Sequence, residues 1–312
     1  FLLPNGNSIT ISDMEQQYLP LMVYFKNHLF ELFSFSKDFG SNMIGTLAYY
    51  LMSPFNFISL FFSAEKMDAA LLLIVWLKLS IAGFTSYLFF QNHFKTKEKG
   101  VFYLFSLMYV LSGFVVSYFF NIMWLDAVYM LPIVMIGIER LMKKQKSGLY
   151  LFSLGYTILT NYYMGHIVCI FSCLYFIYQI LLNYQIKKDF KKIKPLLIKF
   201  FFASLFAGLL CSFLLIPTLK EMPMMARSYE ETLTNGLHWN LSVPEFFSFF
   251  FMGVRKRVGL LSDGYYNIYI GIFALILVFF YFMNKKISRR EKVLSFSILA
   301  IFIFSMFINV LD

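Results

Sequence analysis

The sequence predicts an all-α polytopic membrane protein, and three observations predict it. The 312 residues are 59% hydrophobic and 21% aromatic but only 14% charged, against about 25% charged in an ordinary soluble domain. The mean hydropathy is +0.68. Long apolar runs recur along the chain and are separated by short loops in which the basic residues collect. The net charge of +10 does not point to nucleic acid, because the cations are spread over loops at one side of those runs rather than gathered in a patch.

A helix needs about 20 apolar residues to cross a bilayer. Clear runs occupy 69–90, 101–120, 125–141, 196–217, 267–283 and 293–310. The stretch 148–183 has room for two short passes of about 18 residues each. Thr160-Asn161-Tyr162-Tyr163-Met164-Gly165 supplies a turn between them. The expectation is therefore about eight spans within 69–312, a region that also holds an outer loop at 218–266. Ahead of it lies an outer segment, 1–68, in which the stretch 42–62 is interrupted by Pro54. That stretch is too broken for a span and reads as two helices lying along the interface. The chain starts at Phe1 without Met and reads as a fragment of a longer protein.

Charge fixes the expected orientation. Loops 91–100, 139–147, 184–199 and 284–292 hold 18 Lys/Arg and only 4 acids, Glu98, Glu139, Asp189 and Glu291. The opposite side holds 8 Lys/Arg and 13 acids. Basic loops face the cytoplasm, so segments 1–68, 121–125, 161–165 and 218–266 are expected outside. One misplaced span would scramble this sorting, so the charge bias also supports the span count.

Asp13 opens the candidates, in the polar stretch Ser12-Asp13-Met14-Glu15-Gln16-Gln17-Tyr18. Ser12 or Asp13 can cap a helix, with Gln16 at capping-box spacing. An acid on the outer surface can equally serve as a general base. Asp126 lies at the outer end of a span beside Trp124, where it either complements the helix dipole or faces a site. Lys78 interrupts LLLIVWLKLSIAGF. A cation at mid-membrane costs about 2.5–3.5 kcal/mol on insertion scales, so it must pair or face water. Its readings are a lipid-phosphate ligand, an orienter of an acid such as Asp126, or a structural or snorkelling lysine.

The outer loop carries VPEFFSFFFMGVRKR at 243–257, an apolar run ending in Arg255, Lys256 and Arg257. It suits an interfacial helix whose cations meet lipid phosphates. Arg227, Glu230 and Glu231 read as a solvated face, and Asn240-Leu241-Ser242 is a lone sequon. His166 has no second metal ligand near it in sequence and reads as a packed or hydrogen-bonded histidine. Cys169, Cys173 and Cys211 sit in apolar runs as packing residues. Phosphate-loop, dinucleotide-binding, HExxH and GxSxG signatures are all missing.

Six stretches, SDMEQQYLP, DFGSNMIGTLAYYLMSPFN, WLKLSIAG, NIMWLDAVYMLPIVMIGIERL, TNYYMG and NIYIG at 267–271, occur in this order across the chain. Together they resemble the bacterial YfhO family of membrane proteins. Members run longer, with a transmembrane helix ahead of the Asp-bearing loop and further spans and an outer domain behind. The resemblance implies a GT-C-like transmembrane bundle with interfacial helices in its outer loops. It implies a glycosyltransferase that moves a sugar from a polyprenyl-phosphate donor to an anionic cell-envelope polymer of the lipoteichoic acid type.

On that resemblance Asp13 is the catalytic base, and Asp126 is the second outer acid. Gln17 and Tyr18 are the neighbouring candidates for the substrate site, and Lys78 or the cluster of Arg255, Lys256 and Arg257 would stabilise the departing lipid phosphate. A divalent metal is compatible but not required, because the lipid phosphate carries its own charge. The implied place is the cell membrane, multi-pass, with the active face outside and membrane lipids as neighbours. A lipid-linked-sugar flippase or transporter is the alternative, since it also needs buried charge and many spans. A scaffolding membrane protein is a third reading, which predicts that Asp13→Asn is harmless.

Overall fold

The computed structural model describes residues 11, 13–36, 40–94, 98–221, 250 and 269–307. Nearly all of the described chain is helical, the expected all-α polytopic architecture. A π-helical turn, Met14–Tyr18, runs straight into α1 (Leu19–Asn27), with Pro20, which has no N–H to donate, at the junction of the two. A minimal antiparallel ladder pairs β1 (Phe33–Ser34) with β2 (Ser41–Asn42). The helical pieces Ile44–Leu51, which begin with α2 (Ile44–Thr46), and Pro54–Phe61 follow, bent by 88°. Pro54 starts the second piece, and Ser53 before it is extended.

The bundle comprises α3 (Met67–His93), α4 (Lys99–Val110), α5 (Gly113–Tyr118), α6 (Leu125–Lys144), α7 (Gly148–Thr160) and α8 (Tyr162–Asn183). It continues with α9 (Ile186–Leu210), α10 (Ser212–Glu221), α11 (Ile272–Met283) and α12 (Arg289–Phe307). Every segment expected to span is helical over most of its described length, with breaks at 111–112, 161 and 211 and a non-helical lead at 269–271. Among the described residues four helical segments are long and apolar enough to cross a membrane: Ala64–His93, Lys99–Tyr118, α8 and α9. The bent pair would make a fifth.

The others fall short for physical reasons. The α6 helix carries Asp126, Glu139, Arg140, Lys143 and Lys144 within 20 residues. The α7 and α11 helices have 13 and 12 residues, about 20 Å and 18 Å of rise against a hydrocarbon core of about 30 Å. The expected hairpin over 148–183 is unequal, 13 residues against 22, and breaks at Asn161.

The centre of the bundle is α6, which packs on α3, α7 and α8. Close approach on the α7 side requires Gly137, where a Cβ would lie 2.7 Å from the Tyr150 backbone. Gly165 plays the same part between α8 and α7, against the Ile158 backbone at 2.7 Å. Asn161 makes the sharp turn between those helices. Its side chain caps α8 by accepting from the Met164 N–H at 2.7 Å.

Side-chain contacts sort the loops by end. Glu139 joins His93, Asn92, Lys143 and Tyr175, while Lys199 donates to the Gln145 carbonyl and Arg290 to the Tyr184 carbonyl. These tie the basic loops to one end of the bundle. At the other end Tyr18 meets Asn121, and Tyr49 meets both Trp124 and Asn161. The N-terminal helices thus cap the end away from the lysines.

Candidate functional site

Lys78 lies mid-helix in α3, and Asp126 lies in the first turn of α6; both are 0% exposed. Packing of α3 on α6 brings them together as an ion pair. Lys78 also donates to the Ile122 carbonyl at 2.9 Å and sits 5.7 Å from the centre of the Phe55 ring, at a cation–π distance. The other Asp126 oxygen accepts from the Ser53 and Tyr129 hydroxyls, each at 2.7 Å. Tyr129 in turn bonds the Tyr156 hydroxyl at 2.6 Å. Each charge therefore meets its opposite and has further polar partners, the condition under which a buried pair is tolerable.

This network fastens the bend in the N-terminal segment. Ser53 lies between the two pieces bent by 88°, and its hydroxyl reaches Asp126. Asn56 donates to the Tyr50 carbonyl at 3.0 Å on the same bend. Lys78 and Asp126 are enclosed and committed to each other, the pairing that is one of the readings of Lys78. Neither reaches a surface in this arrangement.

Asp13 is exposed. Its backbone is already helical, with φ −59° and ψ −21°, and its side chain makes no capping bond. A capping side chain needs an extended backbone to reach back to the first N–H groups, so Asp13 does not act as the cap, and Ser12, the other candidate, lies outside the described residues. The carboxylate is close enough for its charge to act on the Tyr18 and Tyr50 hydroxyls. Burial, followed by that charge, pushes the Tyr18 phenol well above its ordinary range. Tyr18 thus remains a donor, and it bonds Asn121 at 2.6 Å.

Gln17 is exposed and donates to the Tyr50 hydroxyl at 3.1 Å. Beside it lies a cavity of about 390 Å³ whose lining includes Gln16, Gln17, Tyr24, Ser34, Thr46 and Tyr50. That size falls within the roughly 300–1,000 Å³ of small-ligand sites. An aromatic series leads away from it. Ring centroids are 4.6 Å apart for Tyr50–Tyr49 and 6.3 Å for both Tyr49–Tyr163 and Tyr163–Trp124.

The structure thus gathers Asp13, Gln17 and Tyr18 on one end and buries Lys78 with Asp126 beneath them. Arg255, Lys256 and Arg257 lie outside the described residues, as do Arg227, Glu230, Glu231 and the Asn240 sequon. His166 is exposed on α8 rather than packed. The cysteines are free, with Cys211 buried, Cys169 half-buried and Cys173 exposed. Among the described residues no group of three or more His, Cys, Asp or Glu could hold a metal.

Sequence reasoning missed Ser53, Tyr129, Tyr156 and the Glu139 cluster. Tyr129 had one usable signal, its i+3 spacing from Asp126 on a single helix face.

A bundle of long apolar helices with a charged pair locked at its centre defines an integral membrane protein. Its family is bacterial membrane protein YfhO, whose profile matches residues 1–312, and the chain belongs to that family. No curated protein and no solved structure matches it.

Proposed function

We propose that the chain forms part of a glycosyltransferase of the outer membrane face that moves a sugar from a polyprenyl-phosphate donor to a hydroxyl of an anionic envelope polymer. The observation that carries this reading is the division of labour between the two acids. Asp126 is enclosed, whereas Asp13 is exposed, makes no capping bond and lies one helical turn ahead of Gln16 and Gln17, which line the cavity with Tyr24, Ser34 and Tyr50. An exposed carboxylate beside such a cavity fits a general base.

In this reading Asp13 takes the proton of the acceptor hydroxyl. The hydroxyl oxygen attacks the anomeric carbon and forms the new C–O bond. The bond from that carbon to the lipid phosphate breaks, and the phosphate leaves with the electron pair. Gln17 and Tyr50 hold sugar hydroxyls. Lys78 and Asp126 act as positioning residues, because they fix Ser53 and so the bend that presents Tyr49 and Tyr50. Arg255, Lys256 and Arg257 are the cations assigned to the departing phosphate. The lysine-rich end faces the cytoplasm under the charge rule, which puts Asp13 outside.

One observation favours a second reading. Buried charge inside membrane helices often marks a transport path, so the Lys78–Asp126 pair also suits a lipid-linked-sugar flippase. The full-length protein in nanodiscs, given donor and a polyglycerol-phosphate acceptor, separates the two. Asp13→Asn should cut transfer by about 10²–10⁴-fold, the range for loss of a general base, with unfolding unchanged. Equal transfer by wild type and variant removes Asp13 from the chemistry.

A further inference from the structure

We propose that the cleft lined by α4, α5, α6, α8 and α12 holds the hydrocarbon chain of the lipid-linked donor, with His166 at the headgroup end. The inference rests on the transferase reading above and says where its donor lies. The cavity has a volume of about 530 Å³, and its walls include Phe114, Val115, Leu131, Ile167, Phe171 and Phe302. Along α8 its lining runs from Tyr163 to Phe171, about 12 Å at 1.5 Å per residue. A slot of that shape and polarity suits a linear apolar chain.

The polar groups of this cavity collect toward one end. Tyr109 is committed to the Val128 carbonyl at 2.6 Å. The side chains of Ser112, Tyr163 and His166 also line the cavity and make no hydrogen bond among the described residues. Tyr163 and His166 occupy the start of α8, next to Asn161 and therefore at the end of the bundle that carries Asp13. An imidazole can donate to a phosphate oxygen and, when protonated, offset its charge.

Ring contacts link this end to the cavity lined by Gln16, Gln17 and Tyr50. Tyr163 lies against Tyr49, Tyr49 against Tyr50, and Tyr50 lines the cavity beside Asp13. Ala127 and Val128, immediately after Asp126, form part of the chain slot. One amphipathic molecule can therefore place its chain between the helices, its phosphate at His166 and its sugar along the tyrosines toward Asp13. An ordinary bilayer lipid needs only the slot, whereas a lipid-linked sugar uses the slot, the histidine and the aromatic series together.

The test uses the full-length protein in nanodiscs and two readouts. Leu131→Trp fills the slot, and His166→Ala removes the headgroup contact. Each should raise the donor KM about tenfold, equal to about 1.4 kcal/mol, while the acceptor KM stays at its wild-type value. Independently, wild type is photo-labelled with a polyprenyl phosphate carrying a diazirine in its isoprenoid chain. The label should map to 127–131 and 163–171 and be displaced by unlabelled polyprenyl phosphate but not by phosphatidylglycerol.

Unchanged donor KM in both variants, with label elsewhere, overturns the slot and leaves the transferase reading standing. Displaceable label in the slot without any sugar transfer keeps the lipid site and removes the transferase. Should either variant misfold, the wild-type labelling decides. Displacement by phosphatidylglycerol makes this a general lipid crevice and overturns the proposal.

Discussion

Breaking the Lys78–Asp126 pair should destabilise the protein unequally depending on which partner is removed. Both side chains are 0% exposed, so neither can turn to water. Removing one member of a buried pair costs about 3–5 kcal/mol. Asp126→Leu strands the Lys78 ammonium with the Ile122 carbonyl at 2.9 Å and the Phe55 ring. Lys78→Met leaves the carboxylate with two hydroxyl donors at 2.7 Å, Ser53 and Tyr129. Hydrogen bonds to a charged group contribute about 1.5–3 kcal/mol each, so the carboxylate keeps more compensation than the ammonium.

Asp126→Leu should therefore cost about 5 kcal/mol and Lys78→Met about 3, the two ends of the range for a broken pair. Lys78→Met/Asp126→Leu should recover most of the loss, because an apolar pair of similar volume carries no desolvation penalty. Equilibrium unfolding in mixed micelles, followed by tryptophan fluorescence, gives the cycle. Single losses below about 1 kcal/mol, the level of an exposed pair, or a double variant equal to the sum of the singles, would refute the enclosed-pair geometry.

Other consequences are local. Gly137→Ala puts a methyl 2.7 Å from the Tyr150 backbone and should cost about 1–3 kcal/mol through separation of α6 from α7, read in the same unfolding assay. Asn161→Ala loses the α8 cap and the bond to the Tyr49 carbonyl; the cap alone is worth about 0.5–2 kcal/mol, and Asn161→Asp should not rescue the loss, because a buried carboxylate oxygen would then face the Tyr49 carbonyl. Tyr18→Phe leaves the Asn121 acceptor unpaired, a cost of about 1–3 kcal/mol. Burial and the Asp13 charge raise the folded Tyr18 value. The folded state therefore holds the phenolic proton after the unfolded chain has begun to lose it. The stability gap between wild type and Tyr18→Phe should stay constant below about pH 10 and shrink above it, as measured by unfolding against pH.

The parts of the fold that the sequence made legible are those set by composition and solvent. Apolar runs located every described helix of the bundle, because hydrocarbon forces the backbone to satisfy itself. Lys78 announced its need for a partner, because an unpaired mid-membrane cation is costly, and Asp126 supplied the pairing. The 88° bend was visible as Pro54 inside an apolar stretch.

Hydroxyl partners were not legible. Ser53 meets Asp126 across 73 positions, and serine and tyrosine are too common in membrane helices to signal such a contact. The Glu139 cluster was hidden because Glu139 was counted with a basic loop, whereas the chain folds it into α6 against His93 and Tyr175. NIYIG at 267–271 is explained in part. Gly271 adopts φ +92°, and the Tyr269 carbonyl accepts from the Gly113 N–H at 2.5 Å, bracing the break between α4 and α5. The division between Asp13 and Asp126 needed coordinates, since both acids begin helices and differ only in what packs around them.

The most direct test of the central claim is vectorial sugar transfer in sealed proteoliposomes of known orientation. Donor is present in the bilayer, and acceptor is supplied on one face only. The account predicts a glycosylated acceptor only when it is on the face carrying Asp13, and almost none with Asp13→Asn. Donor that crosses the bilayer while the acceptor stays unmodified on either face would contradict it.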